Sequence, residues 1–464
     1  MNGLTRVIAA ISTPPGKGGV AVIRMSGEGA FEIAKKAFVP KSRRDITSYP
    51  YRTQIYGDIL EDGEVIDDVL LALFPAPNSY TGEDVVEISC HGGILVSRTV
   101  LEVLLRHGAF AAEAGEFTRR AFINGRLSLS EAESIGNLLE AVNKNALRLH
   151  SGKSRERLDA KISSIRSAFT DLLSSAFARI DYPDEDLGDF TEGEILSRLN
   201  NIKEEIKKLL STYRTGSAIT EGVKTVICGK PNVGKSSLYN LILGEDAAIV
   251  TDVPGTTRDV LERTVPFGGI TLRLADTAGI RDRDGIDAVE RIGIERSRKM
   301  IENCELLFAI FDTSRLFDEE DEAIIEAAKS SSAAKIAIFN KSDLPSLFDT
   351  ERVKAVFDSS VTISAEGDSE GSLGRLCSLV NSLFIDEKIS IGAEAVISSA
   401  RQHASLTRAL DFVNLAIEAL AIGIPQDAVA ADIERALGAI SELDGRQVNE
   451  EVVSDIFSKF CVGK

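Results

Sequence analysis

What the sequence lacks narrows its function before any motif is read. It has no C-x-x-C pair, and its five cysteines, Cys90, Cys228, Cys304, Cys377 and Cys461, are scattered and odd in number. That usage suits reduced thiols rather than a disulfide framework. No apolar run approaches the ~18 residues needed to cross a bilayer, and the first residues lack the charged-then-apolar layout of a secretory leader. Positive charge is scarce. With 53 Lys and Arg against 71 Asp and Glu the net charge is −18, which argues against loose adhesion to nucleic acid but leaves room for a local basic groove. These absences predict a soluble, cytoplasmic chain without membrane contact. The rest of the composition is ordinary: 464 residues, 44% hydrophobic and 27% charged, enough for about two to four domains with their own cores.

The most informative stretch is 224–236, KTVICGKPNVGKS. A short β-branched run meets a glycine-rich turn, and Gly234-Lys235-Ser236 opens a helical segment. From Gly229 to Ser236 the spacing is G-x-x-x-x-G-K-[ST], a loop whose backbone N–H groups can close around phosphate oxygens at a helix N-terminus. Lys235 is placed to reach the β- and γ-phosphates, and the Ser236 hydroxyl to bind Mg²⁺. Further motifs follow in order. Thr256-Thr257-Arg258-Asp259 lies in a polar loop before the strand VLERTVPF, and the strand ITLRLA (270–275) delivers Asp276-Thr277-Ala278-Gly279. Strands at 306–312 and 335–339 come next, the second ending in Asn340-Lys341-Ser342-Asp343, and Ser364-Ala365 follows the strand VTI. An acid after N-K-x can accept from N1–H and the 2-amino group of guanine, which adenine cannot offer. Four motifs at strand ends in this order predict a Ras-like α/β GTPase domain.

Two positions depart from a Ras-like switch. Where a Gln after D-x-x-G would orient the attacking water, this chain has Ile280. Asn232, inside the phosphate loop, can either help to coordinate a monovalent cation in place of an arginine finger or merely order the loop. Glu290, in AVERIGIERS, is the candidate water-orienting group, and on pattern alone it is equally a solvated helix residue.

Residues 1–120 read as an α+β module without a nucleotide loop. Strands are expected at 6–12, 19–26, 51–60, 65–74 and 84–89, with helices at 28–38 and 95–108. Arg24 and Glu87 each end a stretch of alternating apolar residues, as solvated strand ends or as ligand contacts. His91 reads as structural rather than catalytic. Arg119, Arg120 and Arg126 form a basic cluster in sequence. Helical spacing then runs over 131–180 and 192–213, broken by the acidic segment 181–186, and resumes at 397–423, 426–440 and 447–460.

Beyond these readings, the chain closely resembles the MnmE (TrmE) family of bacterial tRNA-modification GTPases along its whole length. The match is carried by TPPGKGGVAVIRMSG (13–27), PNSYTGEDVVEISCHGG (77–93), GEFTRRAFINGRLSLSEAE (115–133), GKPNVGKSSLYN, TDVPGTTRD, DTAGIR, ERIGIERS and the tail FCVGK (460–464). The resemblance implies a folate-binding α+β domain at 1–120, a helical domain split between 121–215 and 386–464, and a Ras-like GTPase domain inserted at 216–385. It implies a GTP-binding set of Asn232, Val233, Gly234, Lys235, Ser236 and Ser237; Thr251, Asp252, Val253, Pro254, Gly255, Thr256 and Thr257; Asp276, Thr277, Ala278 and Gly279; and Asn340, Lys341, Asp343, Ser364 and Ala365. Mg²⁺ would be held by Ser236 and Thr257, and K⁺ by Asn232, Thr251, Val253 through its carbonyl, and Thr256. Glu290 falls at the family's catalytic glutamate. A tetrahydrofolate one-carbon derivative, in its 5-formyl or methylene form, would contact Arg24, Glu87, Arg126 and Lys464. Relatives commonly have Lys at the third position, so Arg126 keeps the charge with a different hydrogen-bond geometry. Cys461 is implied as a thiol of the modification step. The family installs an aminomethyl-type group at C5 of the wobble uridine of certain tRNAs, as a homodimer working with an FAD-dependent partner, MnmG (GidA). No flavin fingerprint occurs in this chain, which fits redox chemistry residing in that partner. A ribosome-assembly GTPase is the competing reading, and it should lack FCVGK and EFTRRAFINGR.

Overall fold

A computed structural model describes residues 6–181, 191–244, 262–275, 300–365, 367–446 and 449–463. The chain divides into two compact units, Met1–Gly136 with Ser441–Lys464, and Asn137–Ile440.

In the first unit the alternating apolar runs become β1 (Ile8–Ile11), β2 (Val20–Ser26), β3 (Phe38–Pro40), β4 (Ile55–Glu61), β5 (Glu64–Phe74), β6 (Val85–His91) and β7 (Phe110–Ala111). Among the described residues they form one sheet in the order β3-β4-β5-β6-β2-β1-β7. The pairs are antiparallel except β1 with β7. Period-two alternation decides which face is covered. On β2, Ala21, Ile23 and Met25 are buried, and they pack into a core with Ile33, Ala34, Val100 and Leu104. Those partners come from helices Ala30–Ala37 and Ile94–Arg106, whose apolar residues recur at helical spacing along one side. Arg24 therefore projects from the opposite face of β2. Several expected spans are shortened, the strand expected at 6–12 to Ile8–Ile11 among them. The helix expected over 28–38 stops at Ala37 because Phe38 turns extended into β3. The strand expected from 51 starts at Ile55, after a turn in which Arg52 has φ +64°. Helix Glu450–Ser458 belongs to this unit and packs on helix Glu116–Ile123, sharing an apolar cluster of Leu129, Ala132, Val453, Phe457 and Phe460.

The second unit joins helices to a parallel sheet. The helical spacing of 131–180 is interrupted twice. Helix Leu129–Leu139 ends, Asn143 caps helix Lys144–Leu149 by accepting from the Ala146 amide at 2.8 Å, and Gly152–Asp181 follows. Helices Glu192–Ser211 and Ala400–Ala421 each begin at a capping box, Thr191/Glu194 and Ser399/Gln402, and they pack on one another. The sheet contains β8 (Val223–Gly229), β9 (Glu262–Phe267), β10 (Ile270–Ala275), β11 (Leu306–Asp312), β12 (Ala334–Asn340) and β13 (Ser359–Thr362). Its order is β13-β12-β11-β8-β10-β9, parallel except for the β9–β10 hairpin. Both faces are buried, which is why the central strands read as nearly unbroken apolar runs. Phe308 and Ile338 enter one core, and Phe311 and Phe339 the other. The order reverses at β8, whose neighbours β10 and β11 lie on either side, and ligands of such sheets bind at the carboxyl ends of strands beside that point.

Candidate functional site

The carboxyl end of β8 runs into the glycine-rich loop. Gly234 has φ +103° and caps helix Lys235–Leu243, and a Cβ there would run into the Asn340 amide, so only glycine fits. Asn232 is exposed with φ +64°, a left-handed conformation that Asn tolerates better than most residues. The Lys235 ammonium donates to the carbonyls of Gly229 at 2.8 Å and Lys230 at 2.5 Å. Ser236 is exposed and Ser237 half-buried in the first turn of the helix, where backbone N–H groups without helical partners face the loop. This end of the sheet presents donors and partial positive charge to an anion.

Next to it, the ends of β11 and β12 build a second pocket wall. Asn340 is 3% exposed. Its Nδ2 donates to the Val233 carbonyl at 2.8 Å, and its Oδ1 accepts from the Ala365 amide at 3.2 Å. One side chain thus ties the phosphate loop to the Ser364 loop. Lys341 has φ +62° and donates to Asp312 Oδ2 at 2.7 Å. Burial opposes ionisation of Asp312, but hydrogen bonds from Lys341 and Ser314 outweigh it and hold the carboxyl below the usual carboxylate range. Asp343 is exposed and accepts from Ser364 Oγ at 2.7 Å. That hydrogen bond, first among its causes, keeps the Asp343 carboxyl below its ordinary range and hence ionised. An exposed carboxylate held in place in this way can read two adjacent N–H donors on a base.

The first unit carries a different cluster. Arg24 on β2 lies opposite Glu87 on β6, and its Nε and Nη2 both donate to Glu87 Oε1, at 2.9 and 2.7 Å. The guanidinium sits 5.4 Å from the Tyr80 ring and 5.8 Å from the Phe117 ring, within cation–π range. The stem of the exposed Arg126 lies against Gly82, two residues beyond Tyr80. Arg24, paired with Glu87, and Arg126 therefore both lie against the loop 79–83. The tail comes to the same region through Gly115, two residues before Phe117. The Gly115 amide donates to the Cys461 carbonyl at 3.4 Å, Val462 bridges Ala114, and Ser12 Oγ donates to the Gly463 carbonyl at 3.0 Å. Cys461 itself is exposed.

A family model described as the GTP-binding protein TrmE N-terminus matches residues 7–126. Another, described as the MnmE helical domain, matches residues 129–461. The chain belongs to the MnmE family. Among curated relatives, the tRNA modification GTPase MnmE of Clostridioides difficile (strain 630) is 40% identical over 457 residues, covering 98% of this chain and 99% of its own. The protein of the same name from Carboxydothermus hydrogenoformans is 40% identical over 462 residues, covering 98% and 99%. That from Levilactobacillus brevis is 40% identical over 464 residues, covering 98% of each.

Several expected MnmE-type site residues lie outside the described residues: Thr251, Asp252, Val253, Pro254, Gly255, Thr256, Thr257, Asp276, Thr277, Ala278, Gly279, Glu290 and Lys464. Among the others, one expectation is corrected. Arg119, Arg120 and Arg126 are not a single basic cluster, because Arg120 is wholly buried, donating to Glu116 Oε1 at 2.8 Å, Glu83 Oε2 at 3.1 Å and the Arg6 carbonyl at 3.0 Å. Glu83 also accepts from Ser26 Oγ at 2.7 Å, so this network joins β2, the loop 79–83 and helix Glu116–Ile123. A Glu and an Arg four residues apart in one helix were its visible signal. His91 is exposed and bonds Asp67 through Nδ1 at 2.6 Å; that carboxylate raises its pKa. Asp312, which orients Lys341, has no motif of its own and was missed. No described helix is long and apolar enough to cross a membrane.

Proposed function

We propose that this chain is a cytoplasmic, K⁺-stimulated GTP hydrolase. In this reading it helps to install an aminomethyl-type group at C5 of the wobble uridine of certain tRNAs. The observation that carries the GTPase half is the alignment of the phosphate loop, the Asn340 tie and the ionised Asp343 along the carboxyl ends of β8, β11 and β12. The exposed side chains of Asn232 and Ser236 offer oxygen donors beside the anion-binding loop, which suits K⁺ and Mg²⁺, both oxygen-seeking cations. Asn232, Thr251, Val253 and Thr256 would hold K⁺, and Ser236 and Thr257 would hold Mg²⁺. When bound, K⁺ supplies the positive charge that an arginine finger provides elsewhere. Lys235 and the loop amides bind the phosphates, while Asp343, with Ala365, selects guanine. Glu290 orients water in the role Ile280 cannot fill.

The modification half belongs to the first unit. Arg24, Glu87 and Arg126 combine charge of both signs with the aromatic faces of Tyr80 and Phe117, chemistry suited to a pteridine with a glutamate tail. Together with Lys464 they would hold a tetrahydrofolate one-carbon derivative, the source of the added carbon. Cys461 is the thiol nearest in sequence to that anchorage. The chain acts as a homodimer with tRNA and with the FAD-dependent MnmG (GidA), which supplies redox chemistry. Steady-state GTP turnover in KCl and in NaCl at matched ionic strength tests the hydrolase proposal. Turnover is expected to be at least about tenfold faster in KCl, the effect of removing ~1.4 kcal/mol from a barrier; equal rates would remove the K⁺ role of Asn232.

A further inference from the structure

Lys230 is the second residue of the phosphate loop, and its side chain points to neither phosphate nor base in the roles assigned to Lys235 and Asp343. The residue is 9% exposed. Its ammonium donates to Asp318 Oδ2 and Asp321 Oδ2, each at 2.7 Å. The Asp321 side chain is 1% exposed, and its Oδ1 has no hydrogen-bond partner among the described residues. Both acids start helix Glu319–Lys329. Asp318 Oδ1 accepts from the Glu320 and Asp321 amides at 3.0 and 3.2 Å, and Asp321 Oδ2 accepts from the Asp318 amide at 3.2 Å. That capping box is complete without a lysine. Taking an ammonium and a carboxylate out of water is unfavourable unless both are well paired, and an arrangement of this kind is weak support for stability alone.

The backbone of Lys230 shows what the arrangement serves. Its carbonyl, with that of Gly229, receives the Lys235 ammonium. Pro231 follows and has no N–H to anchor the loop, and Asn232 is exposed. We infer that Lys230 is a positioning residue for nucleotide: its ion pairs to Asp318 and Asp321 fix the loop's second peptide, whose carbonyl sets where Lys235 meets the phosphates. This rests on the GTPase reading above. Without the anchor the loop must be ordered when nucleotide binds, so the loss falls on affinity. Glu290, assigned to orient water, lies elsewhere in the chain, so the loss in affinity exceeds the loss in turnover at saturation.

The test uses the full chain, with Kd for fluorescently labelled GDP and KM and kcat for GTP measured on Lys230→Met, Asp318→Asn and the double variant. Asp318 is half-exposed, so its substitution probes the same link with little risk to folding. Lys230→Met is expected to raise Kd and KM at least about tenfold with a smaller change in kcat, and Asp318→Asn to raise them about threefold. The double variant should be no worse than Lys230→Met, because partners in one interaction are not additive. A merely structural lysine would lower the melting temperature and leave Kd and KM of the folded protein unchanged. That result, or additive losses in the double variant, overturns the inference while wild-type turnover leaves the GTPase reading standing. A wild-type chain that neither binds GDP nor hydrolyses GTP would overturn the reading itself, and this inference with it.

Discussion

At Asp343 a single carboxylate is in a position to decide which base is accepted. Ser364 Oγ at 2.7 Å fixes its orientation, and the same bond favours the ionised form. Two donors on guanine meeting a charged acceptor contribute roughly 1.5–3 kcal/mol each. Asp343→Asn replaces one acceptor oxygen with an N–H₂, which repels guanine and suits the 2-oxo group of xanthine. GTP affinity is expected to fall by about a hundredfold or more and XTP to become the preferred nucleotide, read from competition against labelled GDP. Unchanged selectivity would mean that Asp343 does not face the base. The residue scale is also where the sequence was most legible. Gly229, Gly234, Lys235, Asn340 and Asp343 sit in short local motifs, so their grouping needed no knowledge of the fold. Lys230 and Asp312 were not legible, because their partners lie 88, 91 and 29 residues away and depend on how the strands are ordered.

Elements differ in how clearly their limits were written. The strands LLFAIFD and AKIAIFN could be read because a sheet buried on both faces demands unbroken apolar runs. The breaks in the helical stretch after residue 131 could not, since gaps of four residues at 140–143 and two at 150–151 barely disturb a 3.6-residue period. Asn143 explains one break: besides capping, its Nδ2 donates to Thr271 Oγ1 at 2.8 Å and to the Ile219 carbonyl at 3.1 Å, so helix Lys144–Leu149 is fixed against β10. His150 closes that short helix, 2% exposed, with Nε2 2.8 Å from Thr220 Oγ1. Burial, with a smaller repulsion from Arg155, pushes its pKa down to about 4. The unfolded chain takes up this proton near pH ~6.5, whereas the folded chain resists it. Stability from this group is therefore complete above about pH 6.5 and is lost as pH falls toward 4. Between about pH 7.5 and about pH 5 the loss is on the order of 2 kcal/mol. His150→Gln keeps a hydrogen-bonding side chain without titrating, so its urea midpoint should fall less over that interval; equal falls would mean the ring is not held neutral.

For the whole molecule, the proposed function divides the chemistry between the two units. Asn137–Ile440 contains the nucleotide loops, while the residues proposed for one-carbon transfer come from both ends of the chain within the other unit. The tail's anchorage was not legible in FCVGK, because the Ser12 bond to Gly463 joins residues 451 positions apart. Gly463 has φ +97°, and a Cβ there would strike the Ile11 carbonyl, which explains why the penultimate residue is glycine. This division predicts that hydrolysis and modification can be separated by substitution. The most direct measurement is mass spectrometry of wobble-uridine nucleosides in tRNA from cells lacking this gene, complemented with the wild-type chain or with Cys461→Ser. The aminomethyl-type nucleoside is expected to vanish in the deletion and return with wild type. It should stay absent with Cys461→Ser, even though that variant hydrolyses GTP at the wild-type rate. Persistence of the nucleoside in the deletion strain would contradict the account.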